Sequence, residues 1–200
     1  MRSFTEMRVF VFFVCIVGVY SDCREEDWSV NFDFQGLSEC KRPGDVISGF
    51  YRRDKDVIGD GLRKLDKVEC CSKPAKWKLS VDYVVANWWS VLDKPNTWAT
   101  CQPGHFLAGF YRTQSKNDLS NIEEGRCIKA EDHPNSYGKC SDVDISSCIK
   151  KAGWCKCPDK TYVVGIHRGK CNDLSCLDKL RCCKFADPNG IGVYPDTAEK

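Results

Sequence analysis

The segment GHFLAGFYRTQSKNDLSNIEEGRC, residues 104–127, decides the architecture, because its skeleton stands twice more in the same chain. Residues 44–71 read GDVISGFYRRDKDVIGDGLRKLDKVECC, and residues 160–183 read KTYVVGIHRGKCNDLSCLDKLRCC. With Cys40, Cys101 and Cys157 in register, Gly49, Gly109 and Gly165 align, the first copy having one extra residue. Arg52, Arg112 and Arg168 follow three positions later. Beyond a variable loop, Leu62, Leu119 and Leu174 each lie eight residues before Cys70, Cys127 and Cys182. Twelve residues before the first cysteine, Trp28, Trp89 and Ile145 open WSVNFDFQGLSEC, WSVLDKPNTWATC and ISSCIKKAGWCKC. An internal period of this kind marks a repeat architecture. The expected division is a single domain over residues 22–184, made of repeats 22–72, 84–128 and 139–184.

Each copy carries short runs of Val, Ile, Phe, Tyr and Trp bounded by Gly, Pro, Asn and Asp, which are strand and turn signals, and helical periodicity is poor. Both faces of HFLAGFYR are mostly apolar, as in a strand covered on both sides. A mid-strand glycine weakens a strand unless another group approaches closely, and its recurrence in all three copies predicts such an approach. The expected fold is all-β and disulfide-rich: three small antiparallel sheets around a pseudo-threefold axis, a β-prism-like arrangement.

Arg2 and Arg8 precede an apolar run from Val9 to Val19 that is too short to cross a bilayer, and Val19 and Ser21 suit signal peptidase. Residues 1–21 therefore read as a secretory signal peptide, and the expected localisation is extracellular. Residues 185–200, with Pro188, Gly190, Gly192 and Pro195, read as a loosely ordered tail. Of the 15 cysteines, removal of Cys15 leaves 14 in the exported chain, an even number that suits complete pairing.

The three copies act as an internal control on connectivity. The middle copy has only Cys101 and Cys127, so these pair, and by equivalence Cys40 pairs with Cys70 and Cys157 with Cys182. Cys23 and Cys140 lie 17 residues before the first repeat cysteine, while Cys71 and Cys183 directly follow the last. At these places the middle copy has Val84 and Ile128, so both members are missing together, as for partners. That pairs Cys23 with Cys71 and Cys140 with Cys183, and leaves Cys148 with Cys155 and Cys171 with Cys176 as local loops. Spacing leaves open an exchange between copies, such as Cys71 with Cys140. A disulfide closing about 30 residues contributes roughly 3 to 4 kcal/mol in the chain-entropy model.

Few catalytic signatures are present. The three histidines, His105, His133 and His167, have no second ligand at metal spacing, and no nucleophile elbow, HExxH helix or phosphate loop occurs. Asp54, Asp56 and Asp60, and Glu123 and Glu124, lack the oxygen spacing of a calcium loop and read as solvated turns. No cofactor and no metal is expected. A net charge of +2 with interspersed signs shows no nucleic-acid footprint.

The candidate ligand-binding residues are those of the repeated GFYR, GFYR and GIHR: Tyr51, Arg52, Tyr111, Arg112, His167 and Arg168. One reading is a set of equivalent pockets, with the ring stacking on a sugar and Arg binding its hydroxyl, sulfate or carboxylate groups. The other is structural: the ring packs under a neighbouring strand and Arg pairs with a buried acid such as Asp66, Glu123 or Asp178. Fold symmetry alone explains the repetition, which favours the second. Trp77, Trp88, Trp89 and Trp98 crowd the middle copy, the one poorest in cysteine, and read as core replacing the absent staple.

The sequence of Trp, then C..G...GFYR, then NDL..IE..RCC resembles the cysteine-rich triple-repeat modules of secreted invertebrate proteins, including the C-terminal module of some snail-egg perforin-like toxins. Over residues 23–183 it is similar in outline to dermatopontin and to vitelline membrane outer layer protein, and WSVNFDFQG with its following cysteine is similar to the start of dermatopontin. The repeated Asp-Arg-Glu/Gln-Trp box of dermatopontin is absent, and no perforin-like domain accompanies the repeats. The resemblance implies an extracellular, non-enzymatic module for adhesion, matrix assembly or glycan recognition, with a glycan or matrix polymer as partner. A venom or defence factor, or the targeting subunit of a toxin, is the alternative, and a small secreted hydrolase the third.

Overall fold

The computed structural model describes residues 22–54, 61–78, 81–113 and 117–187. The signal-peptide expectation, most of the tail, and Asp56 and Asp60 lie outside these residues. Among the described residues the chain is all-β, with one five-residue helix, α1 (Ser29–Asp33), and three short 3-10 turns that open on the buried Leu62, Leu119 and Leu174. The first repeat supplies β1 (Cys23–Asp27), β2 (Gly36–Glu39), β3 (Asp45–Arg52) and β4 (Leu65–Ser72). The second supplies β5 (Val81–Asn87), β6 (Thr97–Thr100), β7 (Phe106–Arg112) and β8 (Ile122–Ala130). The third supplies β9 (Cys140–Asp144), β10 (Gly153–Lys156), β11 (Tyr162–Arg168) and β12 (Leu177–Cys183).

These twelve strands form three antiparallel four-stranded sheets, but no sheet belongs to one repeat. The orders are β1-β4-β3-β10, β5-β8-β7-β2 and β9-β12-β11-β6. Each repeat thus keeps three strands and gives its second strand to a neighbour: β2 joins the second repeat, β6 the third, and β10 returns to the first. The exchange closes a ring.

The repeated glycines make that exchange possible. A Cβ on Gly49 would stand 2.8 Å from the carbonyl oxygen of Cys155, on Gly109 2.5 Å from that of Ser38, and on Gly165 3.0 Å from that of Ala99. The group that approaches each glycine is therefore the backbone of the donated strand, a contact that only a residue without a side chain accommodates. Just before each glycine the pairing register slips, leaving Ser48, Ala108 and Val164 as bulge residues. Their carbonyl oxygens accept the N–H groups of Cys157, Cys40 and Cys101, 2.8 Å in each case, so the bulge anchors the donated strand where it leaves the sheet.

The slip also breaks the twofold alternation, so that Ile47 and Phe50, three apart, both enter the main core. There Phe50 stacks on Phe110 with ring centroids 5.6 Å apart, and Trp28, Phe32 and Trp88 crowd round Phe110. A second cluster gathers Val46, Phe106 and Tyr162. Phe185 stacks on Phe106 at 4.1 Å and Ala186 is buried, so the packed chain extends past the point at which the sequence reading begins its tail.

The structure closes Cys23–Cys71, Cys40–Cys70, Cys101–Cys127, Cys140–Cys183, Cys148–Cys155, Cys157–Cys182 and Cys171–Cys176, the pairs given by internal comparison. One alignment is corrected. Trp28, Trp88 and Ile145 each donate a backbone N–H of 2.8 Å to Asp66, Glu123 and Asp178, so Trp88, not Trp89, is the second-repeat equivalent. Trp88 is buried and Trp89 is 53% exposed. By the same shift Tyr83, not Val84, stands opposite Ile128 where the outer repeats carry their second disulfide. The second repeat has one added residue between this strand and its cysteine, and a count back from the cysteine lands one place late.

Candidate functional site

The residues of the repeated motif divide by the face on which they fall. Arg52, Arg112 and Arg168 turn inward and are buried. The guanidinium Nη1 of Arg52 donates to the carbonyl of Ile149, that of Arg112 to Phe32, and that of Arg168 to Leu92. Each acceptor ends a turn whose fifth residue bonds back to the first: Phe32 to Trp28, Leu92 to Trp88 and Ile149 to Ile145. The last carbonyls of such a turn have no partner within it and carry partial negative charge, which a buried cation satisfies. Burial pulls Arg112 and Arg168 below the ordinary arginine value.

The arginine partners expected from sequence, Asp66, Glu123 and Asp178, are engaged elsewhere. Asp66 accepts from Arg53 at 3.0 Å, Glu123 from the Thr113 hydroxyl at 3.1 Å, and Asp178 lies 2.5 Å from His167 Nδ1. In every case the arginine of one repeat holds the turn of the preceding one, so it follows the same ring as the strand exchange. These three side chains are structural ties, and a ligand on the outer surface does not meet them.

Tyr51, Tyr111 and His167 face outward and are half-buried. Across from each stands a residue of the donated strand: Trp154 opposite Tyr51, Leu37 opposite Tyr111, and Trp98 opposite His167. On the first sheet the rings of Tyr51 and Trp154 meet edge to face at 5.4 Å, and Lys156 Nζ lies 4.3 Å from the indole centroid. On the third, Trp98 and His167 lie 5.0 Å apart, with the Arg181 guanidinium 4.5 Å from the indole.

Three cations on these faces are paired. Lys156 bonds Glu69 at 2.6 Å, Lys67 bonds Glu25 at 3.2 Å, and Arg181 bonds Asp142 at 2.8 and 3.1 Å. Asp178 fixes the ring of His167 through Nδ1, leaving Nε2 as the nitrogen for another partner. Each surface thus carries two rings inclined to one another, at 62° on the first sheet and 56° on the third, beside hydrogen-bonding ion pairs.

The second sheet keeps the tyrosine but differs at three matching places. Leu37 replaces tryptophan, Glu124 stands where the first and third sheets have Lys67 and Lys179, and Val85 where they have Glu25 and Asp142. A depression of about 60 Å³ lies between Leu37, Val85, Tyr111 and Arg126, far below the roughly 300–1,000 Å³ of enclosed small-molecule sites. Tyr111 accepts a hydrogen bond from Gln35 at 2.9 Å.

Sequence reasoning placed Trp98 with the core and passed over Trp154. Both lie three residues before the repeat cysteine, at the position that holds Leu37 in the first repeat. Reading this column together with the tyrosine column would have found the pair. Trp77 and Trp88 are buried, as expected. Among the described residues the grouping of Cys23, Glu69 and Cys71 has metal-like spacing, but its two sulfurs are joined in a disulfide.

Comparison with protein-family models, with curated proteins and with solved structures finds no match to this chain. The disulfide-rich fold is compatible with an extracellular protein, and no helix among the described residues is long and apolar enough to cross a membrane.

Proposed function

We propose that this is a secreted, non-enzymatic protein that binds an extracellular carbohydrate or matrix polymer through the outer faces of its first and third sheets. The observation that supports this reading is the twofold occurrence of one arrangement, Trp154 with Tyr51 and Trp98 with His167, each partly buried and each with a cation over the indole. An indole presents a flat apolar surface to the C–H face of a sugar ring, while Lys156 and Glu69, or Arg181 and Asp142, reach hydroxyls at its rim. Because each of these cations is held by a carboxylate, neutral sugars fit better than sulfated ones, which would have to break an ion pair. Two shallow sites on one rigid body bind weakly alone and gain avidity on a repeating polymer. The apolar leader-like run 9–19, the disulfide content and the resemblance to secreted repeat modules point the same way.

A glycan array and sedimentation with insoluble polysaccharides test the reading. Each of Trp154→Ala and Trp98→Ala should weaken binding about tenfold, and the double variant should abolish retention on the polymer. Unchanged binding in the double variant would remove the platforms from the function. Lysis of red cells by the purified protein, or depolymerisation of the bound glycan, would favour the toxin or the hydrolase reading instead.

A further inference from the structure

Each open sheet has two edge strands, and of these β1, β5 and β9 form one symmetry-related set, so that each is a control for the others. Trp28, Trp88 and Ile145 donate their N–H groups into the sheet. Strand alternation then turns the amides of residues 23, 25 and 27, of 83, 85 and 87, and of 140, 142 and 144 toward the free edge. Among the described residues no strand pairs with those edges.

An unpaired edge invites another strand, and proteins commonly block it with charge. Two of the three edges are blocked in this way. On β1 the outward residues after the cystine are Glu25 and Asp27, and on β9 they are Asp142 and Asp144, so antiparallel self-pairing through these positions sets carboxylate against carboxylate. On β5 the same places hold Tyr83, Val85 and Asn87, with no charge among them. Tyr83 and Val85 are 43% and 46% exposed, which is high for an aromatic and a β-branched residue in a strand.

We propose that β5 is a self-association edge: two copies of this chain pair their β5 strands antiparallel about Val84, joining two four-stranded sheets into one of eight strands. In this register Tyr83 of each copy packs beside Val85 of the other, an aromatic and β-branched cross-strand pair, and Asp82 falls opposite Ala86, so no like charges meet. The contact is isologous and closes on itself, giving a dimer and no fibre. The first and third sheets stay free, so the dimer carries four aromatic platforms.

Sedimentation velocity over a concentration series of the full chain should show a reversible monomer–dimer equilibrium. Val85→Glu, which gives β5 the carboxylate that β1 has at 25 and β9 at 142, acts twice across the twofold axis and should weaken dimerisation about tenfold. Val85→Thr should keep the dimer. Asn87→Asp supplies a second variant at an exposed position should Val85→Glu fail to fold. A protein that is monomeric at every concentration, or a dimer that Val85→Glu and Asn87→Asp leave unchanged, overturns the proposal.

Discussion

Arg112 shows at the scale of one residue how a surface-looking motif is consumed by the fold. Its guanidinium is buried on the Phe32 carbonyl and on the Asn117 side-chain oxygen at 3.3 Å. Arg112→Ala would leave a buried carbonyl unsatisfied and a void, and should destabilise by about 3 kcal/mol in denaturant unfolding. Binding of glycan by the fraction that remains folded should be unchanged. His133 is the second telling residue. Packed against Trp77, Phe106 and Phe185, it accepts the Ala186 N–H at Nε2, 3.0 Å away, and burial lowers its pKa from 6.5 to about 4. The folded state holds the neutral ring while the unfolded chain protonates near 6.5. Its stabilisation is therefore complete above that pH and is lost as pH falls toward 4, a change of about 3 kcal/mol. Urea midpoints across this window should drop in the wild type and drop less in His133→Gln.

At the scale of the strand, the glycines set the distance at which a donated strand can lie. Gly109→Ala places a methyl group 2.5 Å from a backbone oxygen that cannot rotate away, whereas Gly165→Ala places it 3.0 Å away. Both should destabilise by about 1 to 3 kcal/mol, with Gly109→Ala the more costly in thermal melts. The close approach was legible in the sequence because the glycine recurs in three copies. The identity of what approaches was not, since β2, β6 and β10 are four-residue strands with no local mark of which sheet they join. The same limit hid the aromatic platforms: Tyr51 and Trp154 are far apart in the chain and become neighbours only when the third repeat lends its strand to the first.

For the whole molecule, the exchange of strands makes the repeats mutually dependent. A single repeat would lack its fourth strand, expose the edge glycine and leave one arginine without its carbonyl. Calorimetry under oxidising conditions should therefore show one cooperative transition, and three resolved transitions would contradict a closed ring of exchanges. The chain by itself determined the repeat number, the strand class, the cysteine pairs given by comparing the copies and the need for a close approach at each glycine. All of these follow from local composition and from a unit compared with its own copies. Only the tertiary structure decided that the second strands are exchanged, that the arginines cap a neighbour's helical turn, and that Trp88 rather than Trp89 enters the core. Those outcomes rest on contacts between segments distant in sequence, where packing and hydrogen-bond satisfaction choose the partner and the order of residues does not name it.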